Sequence, residues 1–375
     1  MIKQSISLGR IFNIPIGLDY SWFLVFALIT WSLATSYFPL EFTNWPAAEY
    51  WAVGAVTAVL FFVCVLLHEL GHSVVALRYK IQVRSITMFI FGGVAQIASE
   101  PPSAVAEFWI ALAGPLVSFV LAGIFMLLQL VTTGFEPILA LAQYLAYING
   151  TLALFNLIPG FPLDGGRVFR AVVWGITHSF QRATTIAATV GRVVAFGFIL
   201  VGVWQMFTGN LASGLWIAFI GWFLESAAHA QLSQQYLHNL LTGHTVAQAM
   251  SRSFALIPGN LSLEQLADEH ILIAGRRFFV VEELGRPIGL LTLAEMNKFP
   301  RQEWAQVNAA KAMIPIEKLP PLQPETSLSQ AFEEMERAGF GQLPVVAEGE
   351  VQGILSHDNV MYFLQTMQEL ARARN

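Results

Sequence analysis

Leu60-Phe-Phe-Val-Cys-Val-Leu-Leu-His68-Glu69-Leu70-Gly71-His72-Ser-Val-Val-Ala-Leu77 sets three ionisable side chains inside an apolar run. The run belongs to a longer stretch, Trp51 to Leu77, which exceeds the roughly 20 residues a helix needs to cross a hydrocarbon core. A helix brings positions i and i+4 onto one face. His68 and His72 can therefore offer two imidazoles to one metal, with Glu69 one residue round, beside the open coordination position. Two ligands and a general base at this spacing are the H-E-x-x-H arrangement of zinc-assisted peptide hydrolysis. With 8 His and 21 Glu in 375 residues, a chance match is expected on the order of 0.01 times. The competing reading, polar residues packing one helix on another, leaves these groups uncompensated at membrane depth, at roughly 2.5 to 3.5 kcal/mol per charge.

The rest of the chain agrees with a membrane setting. It is 55% hydrophobic and 12% charged, where soluble domains carry about a quarter charged residues. Met1 to Gln231 hold 9 Lys/Arg and 9 Asp/Glu, and the remaining 144 residues hold 11 and 16, so the net charge of -5 belongs to the tail. That balance lacks the basic face that nucleic acid needs, and no nucleic-acid partner is expected. The single cysteine, Cys64, has no intrachain partner and reads as a small apolar packing residue. Six runs are long enough to span, at about Tyr20 to Phe38, Trp51 to Leu77, Phe108 to Val131, Ile138 to Ile158, Val190 to Phe207 and Leu211 to Ala228. The first exceeds the apolar core of a signal peptide and is expected to stay as a helix. Lys3, Arg10, Arg78, Lys80, Arg84, Arg167, Arg170, Arg182 and Arg192 flank one set of span ends, and the alternate connections hold no Lys or Arg. Positive residues favour the cytoplasm, so both termini and the tail are predicted there, in the plasma membrane of a prokaryote or an equivalent bilayer.

Between the second and third spans, Ser85-Ile-Thr-Met-Phe-Ile-Phe-Gly-Gly-Val-Ala-Gln-Ile97 is too short to cross and rich in strand formers, with Gly92-Gly93 as a turn. It reads as a hairpin or as an amphipathic surface loop. Open backbone edges at membrane depth are tolerated only inside protein or along a cavity, so a hairpin here must face a polar interior. A tetrahedral zinc site that keeps a position for water takes three protein ligands. Besides Asp19, Asp164 is the one aspartate before residue 232, and it lies in Asn156-Leu-Ile-Pro-Gly-Phe-Pro-Leu-Asp-Gly-Gly-Arg167, just after the fourth span. Pro159, Pro162, Gly165 and Gly166 interrupt the helix there and can turn the carboxylate back toward the bundle. The competing reading of Asp164 is a turn-forming Asp-Gly on a cytoplasmic loop.

His68-Glu-Leu-Gly-His72, Asn156-x-x-Pro159-x-x-Pro162-Leu-Asp164-Gly, the Phe91-Gly-Gly93 hairpin and Ala113-Gly-Pro115 together resemble the site-2 protease family of intramembrane zinc metalloproteases, over about Ile11 to Ala230. The resemblance implies zinc held by His68, His72 and Asp164, with Glu69 as the base that activates water. It also implies a transmembrane protein substrate, held in an unwound state by the hairpin with Gly92 and Gly93 and by an asparagine-bearing helix. Asn149 and Asn156, seven apart, share a helix face. They read either as hydrogen-bonding groups for that substrate backbone or as interhelical polar glue.

The tail repeats itself. Ala247-Gln-Ala-Met250 matches Ala310-Lys-Ala-Met313, Ser262-Leu263 matches Ser327-Leu328, Val280-Val281 matches Val345-Val346 and Gly289 matches Gly353, at an offset of 63 to 65. Each copy reads as a leading segment, a helix (Leu263 to Glu269; Leu328 to Ala338), two strands and a closing helix. Two such copies resemble a tandem pair of CBS domains over about Thr242 to Gln365. The resemblance implies an adenine nucleotide between the repeats, near Ser356 and Asp358. The position of the family's ribose-binding Asp, three after the Thr/Ser, here holds Glu295 and Asn359, so a dimerisation module joining two copies of the chain stands beside the nucleotide reading.

The expected architecture is a polytopic α-helical membrane protein, six transmembrane helices with a membrane-associated β-hairpin, followed by an α/β tandem CBS domain. Residues 1–231 form the expected protease domain, with repeats at 242–300 and 301–367. An ion channel or transporter carrying CBS domains is the alternative. Transporters are often built from repeated membrane halves, and spans one to three do not visibly repeat in four to six. An inactive scaffold would not need His68, Glu69, His72 and Asp164 intact.

Overall fold

The structure, a computed structural model, describes residues 5–90, 92–97, 99–132, 134–272 and 278–373. Its contacts divide the chain into two compact units, residues 1–235 and 236–375.

In the first unit, among the described residues, six helices are long and apolar enough to cross a membrane. They are α1 (Ser21–Glu41, with a π-helical stretch at Leu33–Tyr37), α2 (Ala47–Arg78), α3 (Ala104–Val131), α4 (Glu136–Asn156), α6 (Phe180–Phe207) and α7 (Leu211–Leu241, spanning as Leu211–Ser233). Between α4 and α6 lies α5 (Asp164–Thr177), too short to span and closed by His178 in the left-handed conformation. The sequence alone predicts a connection here, because Pro159, Pro162, Gly165 and Gly166 interrupt a helix. The chain breaks only over residues 157–163, and Gly165 and Gly166 lie inside the renewed helix.

The hairpin exists, as part of something larger. Strands β1 (Ser5–Ile11), β2 (Ile14–Asp19), β3 (Val83–Phe89) and β4 (Gly92–Ile97) form one sheet in that order. β2 runs parallel to β3, with Ile16 opposite Ile86, and the other pairs are antiparallel. Phe91, in the predicted turn, lies outside the described residues. The N-terminal hairpin was not foreseen; its signal lies in Ser5-Ile-Ser-Leu, which alternates polar and apolar, and in Ile14, Ile16 and Leu18, which all point inward. The sheet sits on α2 because Ile14 and Ile86 pack in one cluster with Leu70 of the histidine motif and Ile110 of α3. At the tip, the Ser21 hydroxyl donates to Asp19 (2.6 Å) and accepts from the Ile90 N–H (3.1 Å), fixing the turn to the start of α1.

The second unit holds α8 (Val246–Ala249), β5 (Ala255–Pro258), α9 (Leu263–Leu266), β6 (Phe278–Glu283), β7 (Arg286–Thr292), α10 (Leu293–Met296), α11 (Ala309–Ala312), β8 (Ile314–Pro315), α12 (Leu328–Ala338), β9 (Gln342–Ala347), β10 (Glu350–Ser356) and α13 (His357–Ala373). α12 occupies the predicted range. Its counterpart α9 stops early and continues as a π-helix over Ala267–Leu272, and the closing helix of the first repeat is a single turn. The repeats exchange their leading segments. Ser251 bridges to Ile354 of the second repeat, while Pro315 of β8 pairs with Gly289 of the first. Glycine is needed at each crossing: a Cβ on Gly353 would stand 2.9 Å from the Ser251 carbonyl, and one on Gly289 would stand 2.6 Å from that of Ile314.

Candidate metal centre

Three helices build the site. α2 presents His68 and His72, both almost fully buried. α5 presents Asp164 at its first position, where a negative charge also suits the helix dipole. Asp164 Oδ2 lies 3.1 Å from His68 Nε2 and 3.2 Å from His72 Nε2, and the two Nε2 atoms are 3.3 Å apart. A tetrahedron with zinc bonds of 2.0 to 2.2 Å has edges of about 3.4 Å. The triangle therefore matches one face of the tetrahedron of donors that zinc takes, and the three residues form a candidate metal site.

α3 is the wall behind them. The His72 Nδ1–H donates to the Ile110 carbonyl (2.7 Å), which leaves the Nε2 lone pair turned to the centre. His68 Nδ1 lies 2.8 Å from Ser118 Oγ. Between these contacts, Gly114 faces both rings, and a Cβ there would stand 2.2 Å from His72 Nε2 and 2.6 Å from His68 Nε2. The cradle fits the donor set only because the residue is glycine. Burial works to raise the Asp164 carboxyl, but where the His72 and His68 imidazoles carry a proton at Nε2 they outweigh it and hold the group well below the usual carboxylate range.

Glu69 is turned toward the sheet. Its carboxylate lies close to the Ala95 N–H of β4, and a Cβ on Gly93 would stand 2.6 Å from Glu69 Cγ. Gly93 thus lets β4 lie against the side chain, and Gly92 supplies the turn with φ +120°. Asn149 is buried in α4. Its Nδ2 donates to the Leu145 carbonyl (2.8 Å), its side chain meets Cys64, and its Oδ1 has no partner among the described residues. Asn156 is half-buried at the end of α4. In the tail, Ser356 caps α13, donating to Asn359 Oδ1 (2.5 Å) and accepting from the Asn359 N–H (3.1 Å), while Asp358 is exposed on the first turn.

Sequence reasoning missed Ile110 and Ser118, which carry no motif of their own, and it quoted Gly114 within Ala113-Gly-Pro115 without assigning it a role. It also passed over Glu107 and read Arg170 only as a basic flank of the spans, whereas the two pair in the interior. Their signal was available: a carboxylate in an apolar run and an arginine six residues after Asp164 each require a partner.

The geometry defines a zinc-hydrolase-like centre inside a helical membrane bundle. The pattern of peptidase family M50 matches residues 56–143 and 133–198, and that of the CBS domain matches residues 310–366. Rip3 of Mycobacterium tuberculosis is 34% identical over 366 residues, covering 96% of this chain and 92% of that protein. sll0528 of Synechocystis is 33% identical over 378 residues, 97% of each chain. The solved site-2 protease from Methanocaldococcus jannaschii is 30% identical, covers 61% of this chain and 95% of its own, and superposes with a TM-score of 0.43. The chain belongs to peptidase family M50: it is a site-2-type intramembrane zinc metalloprotease with a C-terminal CBS region. The transport reading has no support from these relatives.

Proposed function

We propose that the protein hydrolyses peptide bonds in or beside the transmembrane segments of other membrane proteins, as in regulated intramembrane proteolysis, with His68, His72 and Asp164 as metal ligands and Glu69 as general base. The observation that carries this reading is the triangle of His68 Nε2, His72 Nε2 and Asp164 Oδ2, with edges of 3.1 to 3.3 Å. When bound, zinc supplies Lewis acidity to a water molecule and to the scissile carbonyl. Glu69 accepts the proton of the attacking water and delivers it to the leaving amine. Ser118 and the Ile110 carbonyl hold the imidazoles in place throughout.

A transmembrane substrate hides its carbonyls in helical hydrogen bonds and must unwind before attack. β4 is an edge strand and lies against Glu69, so strand addition to it would pair the freed backbone groups close to the base. Gly92 and Gly93 keep that edge clear of side chains. Asn149, with an unpaired Oδ1, and Asn156 are the candidate polar contacts for the same segment. The distribution of basic residues favours the cytoplasm for both termini, where adenine nucleotide would reach the CBS pair near Ser356 and Asp358, and where the pair would join two copies of the chain.

Purified protein should carry about one zinc per chain. Reconstituted in liposomes with a panel of single-span proteins, it should lose cleavage on chelation and regain it when zinc is restored. Absence of zinc, or cleavage that survives chelation, overturns the reading. A reporter active only outside the cytoplasm should be silent when fused after Asn375 and active when inserted in the 132–137 connection.

A further inference from the structure

One face of α3 meets both halves of the metal site. Over successive turns it presents Glu107, the Ile110 carbonyl, Gly114 and Ser118, all buried. The last three contact the α2 histidines, as described above. Glu107 instead reaches α5: its Oε1 accepts from Arg170 Nε (2.7 Å) and from Arg170 Nη2, and Arg167 Nε stands 4.0 Å away. The Arg170 guanidinium is enclosed by the rings of Phe161 and Phe180, 4.9 and 4.6 Å from their centroids, and its Nη1 lies 3.5 Å from Thr184 Oγ1.

A buried ion pair is a poor source of stability, because desolvation offsets the attraction, whereas two N–H donors of one rigid guanidinium fork converging on Glu107 Oε1 set register more closely than a point charge does. Register is what this site requires. Asp164 is the only proposed ligand not carried by α2, and α5 reaches it after a break in the chain. A slide of α5 by one residue moves it about 1.5 Å along its axis, enough to open the triangle.

We propose that Glu107 and Arg170 are positioning residues for the metal centre: their ion pair locks α5 to the face of α3 that orients the histidines, and so sets Asp164 against His68 and His72. This rests on the assignment of Asp164 as a ligand.

The test is a double-mutant cycle on the full chain in detergent. Zinc affinity is read by chelator competition, and the cobalt-substituted absorption spectrum serves as a second readout of ligand geometry. Arg170→Lys keeps the charge and loses the fork. It should weaken zinc about 10- to 100-fold, the usual cost of losing an outer-shell partner, and alter the cobalt spectrum. In an Asp164→Asn background it should have no further effect. Glu107→Gln should behave as Arg170→Lys does, which supplies a second variant if one folds poorly. Phe38→Leu, in the separate cluster with Leu33 and Ala140, lowers stability without touching this wall and should leave both readouts unchanged. Wild-type zinc affinity in Arg170→Lys and Glu107→Gln, or losses that multiply with Asp164→Asn, overturns the proposal while sparing the ligand assignment. Wild-type affinity in Asp164→Asn alone overturns both.

Discussion

Helix caps occur in both units, Ser103 and Ser179 among them, but the side chains proposed for function are used in opposite ways. In the membrane unit His68, His72 and Asp164 turn toward one point and bond each other's surroundings across three helices. In the tail Ser262, Thr292, Ser327 and Ser356 accept from backbone N–H groups three residues ahead. There each polar group is used up by its own helix, and the small cavity between the repeats is lined by apolar residues such as Val280, Leu290 and Ile354. Convergent polarity marks chemistry, and polarity spent within a turn marks local folding. Burial alone does not separate them, since Ser356 is as buried as His72.

The largest break in this contrast should come from Glu69→Gln. The amide keeps the shape but cannot take a proton, so cleavage should fall by about 10²- to 10⁴-fold while zinc content stays near that of the wild type. Full cleavage of a transmembrane substrate by the variant would remove Glu69 from the role of base. Gly114→Ala comes next. Alanine favours helix by about 1 kcal/mol over glycine, so any loss must come from the new Cβ against the imidazoles. Zinc affinity should drop by about 10- to 100-fold, and a variant that binds zinc normally would show that α3 does not shape the cradle.

The tail variants should leave zinc untouched. Gly289→Ala pushes a methyl toward the Ile314 carbonyl and Met313 Sδ, and overpacking of this kind costs about 1 to 3 kcal/mol. It should lower the unfolding midpoint of the tail without changing metal content or Glu69-dependent cleavage. The smallest effect is expected from Ser356→Ala, which removes the α13 cap at about 1 kcal/mol. Titration with AMP and ATP sharpens the comparison further. If Ser356 serves only its helix, Asp358→Ala will weaken nucleotide more than Ser356→Ala does; equal loss in both would place the serine in a ligand site.

The sequence was most readable where spacing alone carries the chemistry. His68 and His72 stand four apart on a helix, and the six apolar runs are long, so periodicity located both. Asp164 was found because the membrane half holds so few aspartates, yet the helix that begins with it was not, since its Gly165-Gly166 start reads as a break until backbone contacts across the fold are known. The roles of Gly114, though it stands in the Ala113-Gly-Pro115 motif, and of Ser118 were hidden for a related reason. What they do depends on which helix lies opposite, and that is decided by packing among α2, α3 and α5 rather than by any local pattern. The repeat register in the tail was legible from Met250, Met313, Gly289 and Gly353, but not that each methionine closes on the other repeat's glycine.

That crossing has a consequence for how the tail can be moved between proteins. A fragment ending near Phe299 would keep β5, β6 and β7 but lose the Met313-Ile314 segment that covers Gly289, and a fragment beginning there would leave Gly353 bare where Met250 and Ser251 now lie. Neither half is a transplantable part. Grafting onto another membrane protein, or removal from this one, has to take both repeats with their leading segments, so the natural cutting point lies ahead of Leu240 and Leu241, which pack into the tail's core, and nowhere within the pair.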